Sequence, residues 1–352
     1  IGSGPYVVED IVTESGIPTK FTLEAYEDHT LGRPYIEKII ISTYQNEKYL
    51  MKAFTDKDVT RIHGISPEKV STLSVATSSI KTSLLPRTFA VFFNPNKSSN
   101  LSDKNVRAAL QLAINKQAIV DQVLYQYGKV INNPYPFDNS NEGSEYNVEK
   151  ARELLIKSKV LKDASSTIQI TLTTANTDEM KKVAEMIKAD WEKVGVIATI
   201  SIYDVSDLNQ TVIKERDFQA LLFGAITQTP SDLYAFWHSS QREYPGLNIS
   251  NYVSKDLDKN LEILRETKNE SDRALAYEEV RKEFIEETPG IFLFSPSLIY
   301  ITNDKNISSL PLYSYDNASR FTLVESWYRY TNNVWPKAYY KPLLEMIQNS
   351  VH

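Results

Sequence analysis

The sequence predicts an α/β protein of two lobes, one inserted into the other. Three observations predict it. Between about residues 100 and 290, helix and strand patterns alternate, which implies a sheet with parallel neighbours covered by helices. The segments on either side read as strands with little helix, and they belong together as the second lobe. At 352 residues the chain is long enough to bury more than one core. A lobe entered and left by crossing strands is hinge geometry.

The elements follow from local patterns. Pro5–Val12 and Lys20–Tyr26 alternate apolar and polar residues, the period of a half-buried strand. Glu37–Tyr44 is a third strand, and Gly16-Ile-Pro18 and Leu31-Gly-Arg-Pro34 are turns. Asn46 caps a helix to about Phe54, and Ser66-Pro-Glu68 opens a short one. Thr88–Phe93 is a strand. Ser102 caps one long helix, Asp103–Gln126, whose Val106, Ala109, Leu110, Ala113, Ile114 and Val120 share a face. A loop over 132–144 follows, then a helix capped by Asn147. Thr167–Thr173 is a strand, and Asp178–Val194 is a helix closed by Gly195. Val196–Tyr203 and Phe218–Ile226 are strands around a helix begun by Ser206 or Asp207. After an aromatic segment, Thr227–Tyr252, come helices Lys255–Thr267 and Ser271–Glu287, stopped at Thr288-Pro-Gly290. Ile291–Ile301 is a long strand or a pair, and Arg320–Tyr330 alternates and is aromatic.

Composition narrows the function mainly by exclusion. The net charge of −6 argues against nucleic-acid binding. Cysteine is absent, so there is no thiol nucleophile, thiolate metal site or disulfide. No run of eighteen apolar residues occurs, so no spanning helix is expected. The four histidines, His29, His63, His238 and His352, lack metal-site spacing. Nucleophile-elbow, phosphate-loop and dinucleotide glycine patterns are missing. The acidic pairs Glu278-Glu279 and Glu286-Glu287 sit on neighbouring helical positions that point apart, so they read as solvated faces. No catalytic residue, metal or cofactor is expected. Seven Asn-x-Ser/Thr triplets occur, Asn248, Asn269 and Asn317 among them, a number that chance supplies in a chain rich in Asn and Ser. The 21 Tyr and 13 Phe suit a ligand cleft, and equally an ordinary Tyr-rich background.

Several segments together resemble one family. They are Gly2-Ser-Gly-Pro-Tyr6, Phe92-Phe-Asn94, Val106-Arg-Ala-Ala-Leu110 with Ala113-Ile-Asn-Lys116, and Leu222-Phe-Gly224 with Asp232-Leu-Tyr-Ala-Phe-Trp-His-Ser-Ser-Gln241. Gly246-Leu-Asn248 with Tyr252, and Arg320-Phe321 with Trp327-Tyr328, complete the set. In order and spacing they resemble extracellular solute-binding proteins of family 5, the oligopeptide-binding type. The resemblance implies a two-lobed periplasmic-binding-protein-like fold, type II. Lobe one is expected at 1–96 and 296–352, and lobe two at 97–295. In the family the Gly-x-Gly-Pro-Tyr turn lies well inside the mature protein. The chain therefore reads as a C-terminal fragment or an abbreviated member, with part of lobe one missing.

The resemblance also implies the site. A peptide would be held by backbone bonds to Gly224 and Ile226, with Phe223, Trp237 and Tyr252 beside it and Asn94 near the hinge. Gln228 stands where the peptide-binding pattern has an Asp for the ligand's ammonium, and Asp232 is a substitute or simply a cap. Arg107 is expected as a structural anchor at the lobe junction. Implied partners are a peptide or other small solute and an ABC permease, with the protein monomeric, extracellular or periplasmic, and lipid-anchored through a segment outside this chain. The alternative function is an interaction or signalling module of the same fold with no transported ligand.

Overall fold

In a computed structural model, residues 2–76, 79–138, 145–158, 160, 167–303 and 318–328 are described. The expected triplet at Asn317, the last part of the 132–144 loop, and the tail beyond Tyr328 lie outside them.

The chain begins with an antiparallel meander, β1 (Tyr6–Glu14), β2 (Ile17–Ala25) and β3 (Lys38–Ser42). Ser15 and Gly16 both turn through positive φ, which is what a two-residue hairpin connection demands. Next come α1 (Glu47–Thr55), β4 (Arg61–His63), α2 (Pro67–Val70) and β5 (Ile80–Leu84). Asn46 caps α1 by accepting from the Tyr49 N–H at 3.2 Å.

From β6 (Arg87–Phe93) onward the α/β pattern takes over. The order is α3 (Lys104–Ala113), α4 (Lys116–Val123), β7 (Gly128–Val130), α5 (Val148–Lys157), β8 (Ile168–Ala175), α6 (Asp178–Glu192) and β9 (Val196–Tyr203). Then come α7 (Val205–Asp207), β10 (Ala220–Ile226), α8 (Leu233–Trp237), α9 (Lys255–Glu266), α10 (Glu270–Glu287) and β11 (Gly290–Thr302). The strands run β4-β11-β6-β10-β8-β9, with β5 and β7 also pairing β11. As the alternation implied, β8 is parallel to β9 and β10, while β6 is antiparallel to β10 and β11.

The expected single helix over 103–126 is two helices. Ile114 is extended, and Asn115 starts α4 by accepting from the Ala118 N–H at 3.0 Å. The Asn115 N–H is held by the Asp190 carboxylate of α6 at 2.9 Å, a contact invisible to a local pattern. The cap of α3 is Asp103, not Ser102, and the cap of α10 is Asn269, two residues before the expected start. The described part of the stretch that alternates over 320–330 forms two 3₁₀ turns at Ser319–Phe321 and Val324–Ser326. Its alternation serves burial of Arg320 and Val324 rather than a ladder.

Two apolar cores result. The large one holds β6, β8, β10 and the first half of β11 with helices α3 to α6 and α8 to α10. The small one gathers Phe54, Ile62, Ile65, Val70, Ile299 and Ile301. β11 reaches both. Gly290–Phe294 pairs with β6, and Ser297–Thr302 pairs with β5 and β4. Residues 87–93, grouped by sequence with 1–96, pair along their whole length with β10.

Candidate functional site

β10 is the strand that positions the expected ligand contacts. Its residues Ala220, Leu221 and Leu222 are buried, as a continuous apolar run predicts for a central strand. Gln219 accepts from the Asn94 N–H at 2.8 Å, and the Thr227 N–H donates to the Pro86 carbonyl at 3.0 Å. Both bonds lie on the β6 side. Backbone groups alternate sides along an antiparallel strand, so the even-numbered Gly224 and Ile226 turn theirs the other way. There β8 pairs only with Ala220, Leu221 and Leu222. Among the described residues, the edge from Gly224 to Ile226 is therefore open to a further strand.

Gly224 is packed as well as exposed along its edge. A Cβ there would sit 3.0–3.3 Å from the Phe89 ring, closer than ordinary contact. Phe223 lies opposite Ala90 and is half-buried; Ile226 lies opposite Arg87 and is exposed. The main-chain positions expected to meet a ligand thus fall on one strand edge.

The remaining expected residues do not gather there. Asn94 is fully buried at the far end of β6, where its amide donates to the Arg216 carbonyl at 2.8 Å and accepts from the Asn96 N–H at 3.2 Å. That places it away from the β5–β6 step, with both ends of its amide engaged inside the lobe. Trp237 is buried among Phe92, Phe284 and Phe292, with ring centroids 4.8–5.8 Å away. Asp232 closes a capping box: its Oδ2 accepts from the Gln228 and Thr229 N–H groups at 2.8 and 2.9 Å. Gln228 is exposed, and its backbone N–H is spent on that cap. The Tyr252 hydroxyl donates to Glu283 at 2.7 Å, and burial together with that carboxylate pushes its pKa up.

Two residues organise the segment after β10. Asn248 is buried and donates from its amide to the carbonyls of Trp237, His238 and Tyr252 at 3.1, 3.2 and 3.0 Å. This asparagine, which heads a glycosylation-like triplet, is a structural hub. Asn269 of the second triplet is the α10 cap. Arg107 anchors two helix ends. Its guanidinium donates to the carbonyls of Leu101, Ser102, Glu287 and Thr288, pinning α3 to the end of α10. Burial pulls its pKa down while Glu287 opposes the shift.

Residues 1–245 match the family described as bacterial extracellular solute-binding proteins, family 5 Middle. The chain belongs to that family. Members of that family are solute-binding proteins. Among curated relatives, the chain is 26% identical to the oligopeptide-binding protein AppA of Bacillus subtilis over 317 residues, covering 84% of this chain and 57% of that protein. It is 24% identical to the nickel-binding protein NikA of Staphylococcus aureus over 319 residues, covering 87% and 61%. Bacillus subtilis AppA solved with a nonapeptide superposes at a TM-score of 0.64, with 23% identity, over 94% of this chain and 67% of that one. The fold is thus the two-lobed α/β fold of the family. The chain spans a little over half the length of these two curated relatives. No helix among the described residues is long and apolar enough to cross a membrane.

Proposed function

We propose that this chain is the ligand-binding part of an ABC importer's substrate-binding component, and that it takes a peptide or related solute along the open edge of β10. The observation that carries this reading is the unpaired main chain of Gly224 and Ile226. A peptide added there as a strand is held by groups common to all peptides, which gives affinity with little side-chain selectivity. Relatives named for oligopeptide binding, one solved with a nonapeptide, support the ligand class.

The lobes meet at two crossings, 85–86 and 295–296, so that 87–93 belong with the α/β lobe. Closure turns about these crossings, and the closed, loaded form is what a membrane permease recognises. The protein works as a monomer outside the cytoplasmic membrane, held there by a lipid on sequence beyond this chain. It performs no chemistry on its ligand.

No carboxylate among the expected residues stands ready for a ligand's ammonium, because Asp232 is occupied as a cap. This favours ligands held by backbone rather than by a charged amino terminus. Mass spectrometry of gently denatured protein tests the reading. Released peptides or an alternative small solute are expected. If neither this chain nor its longer parent retains or binds any small solute, the interaction-module alternative replaces it.

A further inference from the structure

One aromatic ring borders the open edge of β10, and main-chain pairing alone makes no use of it. Across the sheet, Phe294 of β11 lies opposite Phe89 of β6, and Phe89 lies opposite Gly224 of β10. Directly opposed residues share a face, so the three form one row that ends at the open edge. The two rings stack with centroids 5.0 Å apart and an interplanar angle of 19°. Phe294 is fully buried and Phe89 only half-buried. The inner ring therefore backs the outer one and leaves part of it uncovered.

Gly224 decides where that outer ring goes. A glycine inside a strand weakens it and often marks a close approach. Here the approach is made by Phe89, whose Cε1, Cζ and Cδ1 lie 3.0, 3.2 and 3.3 Å from the point a Cβ would occupy. The ring thus fills the side-chain space of Gly224. A residue paired with Gly224 from the open side would place its Cβ about 4.5–5.5 Å from that same point. Its side chain starts on the face the ring occupies, within contact range of it. Ile226 lies two residues along on the same face and is 54% exposed, so it continues the apolar surface.

We propose, resting on the strand-addition reading, that Phe89 is a specificity-determining contact that selects an apolar side chain, aromatic best, at the ligand residue paired with Gly224. A second ring packed on Phe89 gains more than its buried area alone supplies. A polar side chain there would give up water to a surface that returns no hydrogen bond. Selectivity is confined to one ligand position, while the main-chain bonds stay indifferent to sequence.

Calorimetric titration with acetylated, amidated penta-alanine, carrying Phe at each position in turn, tests it. One position should bind roughly tenfold tighter than the all-Ala peptide, with Leu there intermediate and Asn no better than Ala. Phe89→Ala should remove most of that gain and leave the all-Ala affinity nearly unchanged. Phe89→Leu keeps an apolar side chain should the first variant fail to fold, and it should narrow the preference for Phe over Leu. A ring that merely covers the glycine main chain would shift every peptide equally, and that result overturns the proposal. So does a Phe gain that survives both substitutions, or equal binding wherever Phe is placed. If no peptide of the set binds the unsubstituted chain, the strand-addition reading itself falls, and this contact with it.

Discussion

The hydroxyl of Ser295 donates to the carbonyl of Leu85 at 2.7 Å, where both residues are buried. The Leu85 N–H in turn donates to the Pro296 carbonyl at 3.0 Å. The two segments that pass between the large and small cores are therefore fastened to each other. Gly128 crowds this junction, since a Cβ on it would lie 2.9 Å from the Ser295 carbonyl oxygen.

Ser295→Ala should leave the Leu85 carbonyl buried and unsatisfied, at a cost of about 1–3 kcal/mol. Chemical denaturation of the two chains measures this. An unchanged midpoint would show that the bond contributes nothing to the junction.

The peptide edge can be tested without touching a side-chain pocket. Ile226→Pro removes one N–H from the open side of β10, where proline is tolerated because no ladder bond is lost. If a peptide pairs there, its affinity should fall by roughly tenfold, the worth of about one hydrogen bond, with the melting temperature nearly unchanged. Peptide binding at full strength would place the ligand elsewhere.

Asp232 separates a cap from a ligand contact. Asp232→Ala should lower stability by about 1 kcal/mol, typical of a lost cap, and leave the affinity for peptides near that of the parent. A several-fold loss of affinity without loss of stability would reverse that assignment.

Trp237→Ala should cost about 3–5 kcal/mol, because it empties a site walled by three aromatic rings. Trp237→Phe should recover much of it. Thermal unfolding distinguishes this core role from one in ligand contact, where affinity would fall before stability did.

Lys116 sets a pH dependence. It is buried, and its Nζ donates to the Asn132 side chain at 2.8 Å and to the Ile131 carbonyl at 3.4 Å. Burial alone pulls its pKa down to about 7 from 10.5. Between those values the unfolded chain holds a proton that the folded chain has released, so stability should rise as pH goes from about 7 to about 10. Below pH 7 both states are protonated and the full cost of the buried charge remains. Lys116→Met should flatten this rise, as followed by denaturation midpoints across that pH range.

Much of the fold is written locally. Alternation gives β1 and β2, the buried run gives β10, and the caps Asn46, Asn147 and Thr177 fix the starts of α1, α5 and α6 through side-chain bonds to their own first turns. The order of segments such as Leu222-Phe-Gly224 and Gly246-Leu-Asn248 identifies the family, because turns and close backbone approaches require those residues at those places. Gly246 shows why: a Cβ on it would lie 2.2 Å from the Gln241 carbonyl oxygen.

Only tertiary structure decides the rest. The helix break at Asn115 depends on Asp190, 75 residues away. Asn94, Trp237 and Asp232 look equally suited to a cleft or to a core in sequence; in the structure Asn94 bonds Arg216 and Asn96, Trp237 packs among three Phe rings, and Asp232 caps a turn. The open edge of β10 exists because β8 stops pairing at Leu222, a property of two strands and not of either one. Periodicity and caps are short-range effects that a linear string records. Register, edge exposure and the meeting of distant charges are fixed by packing, which the string specifies only through the folded whole.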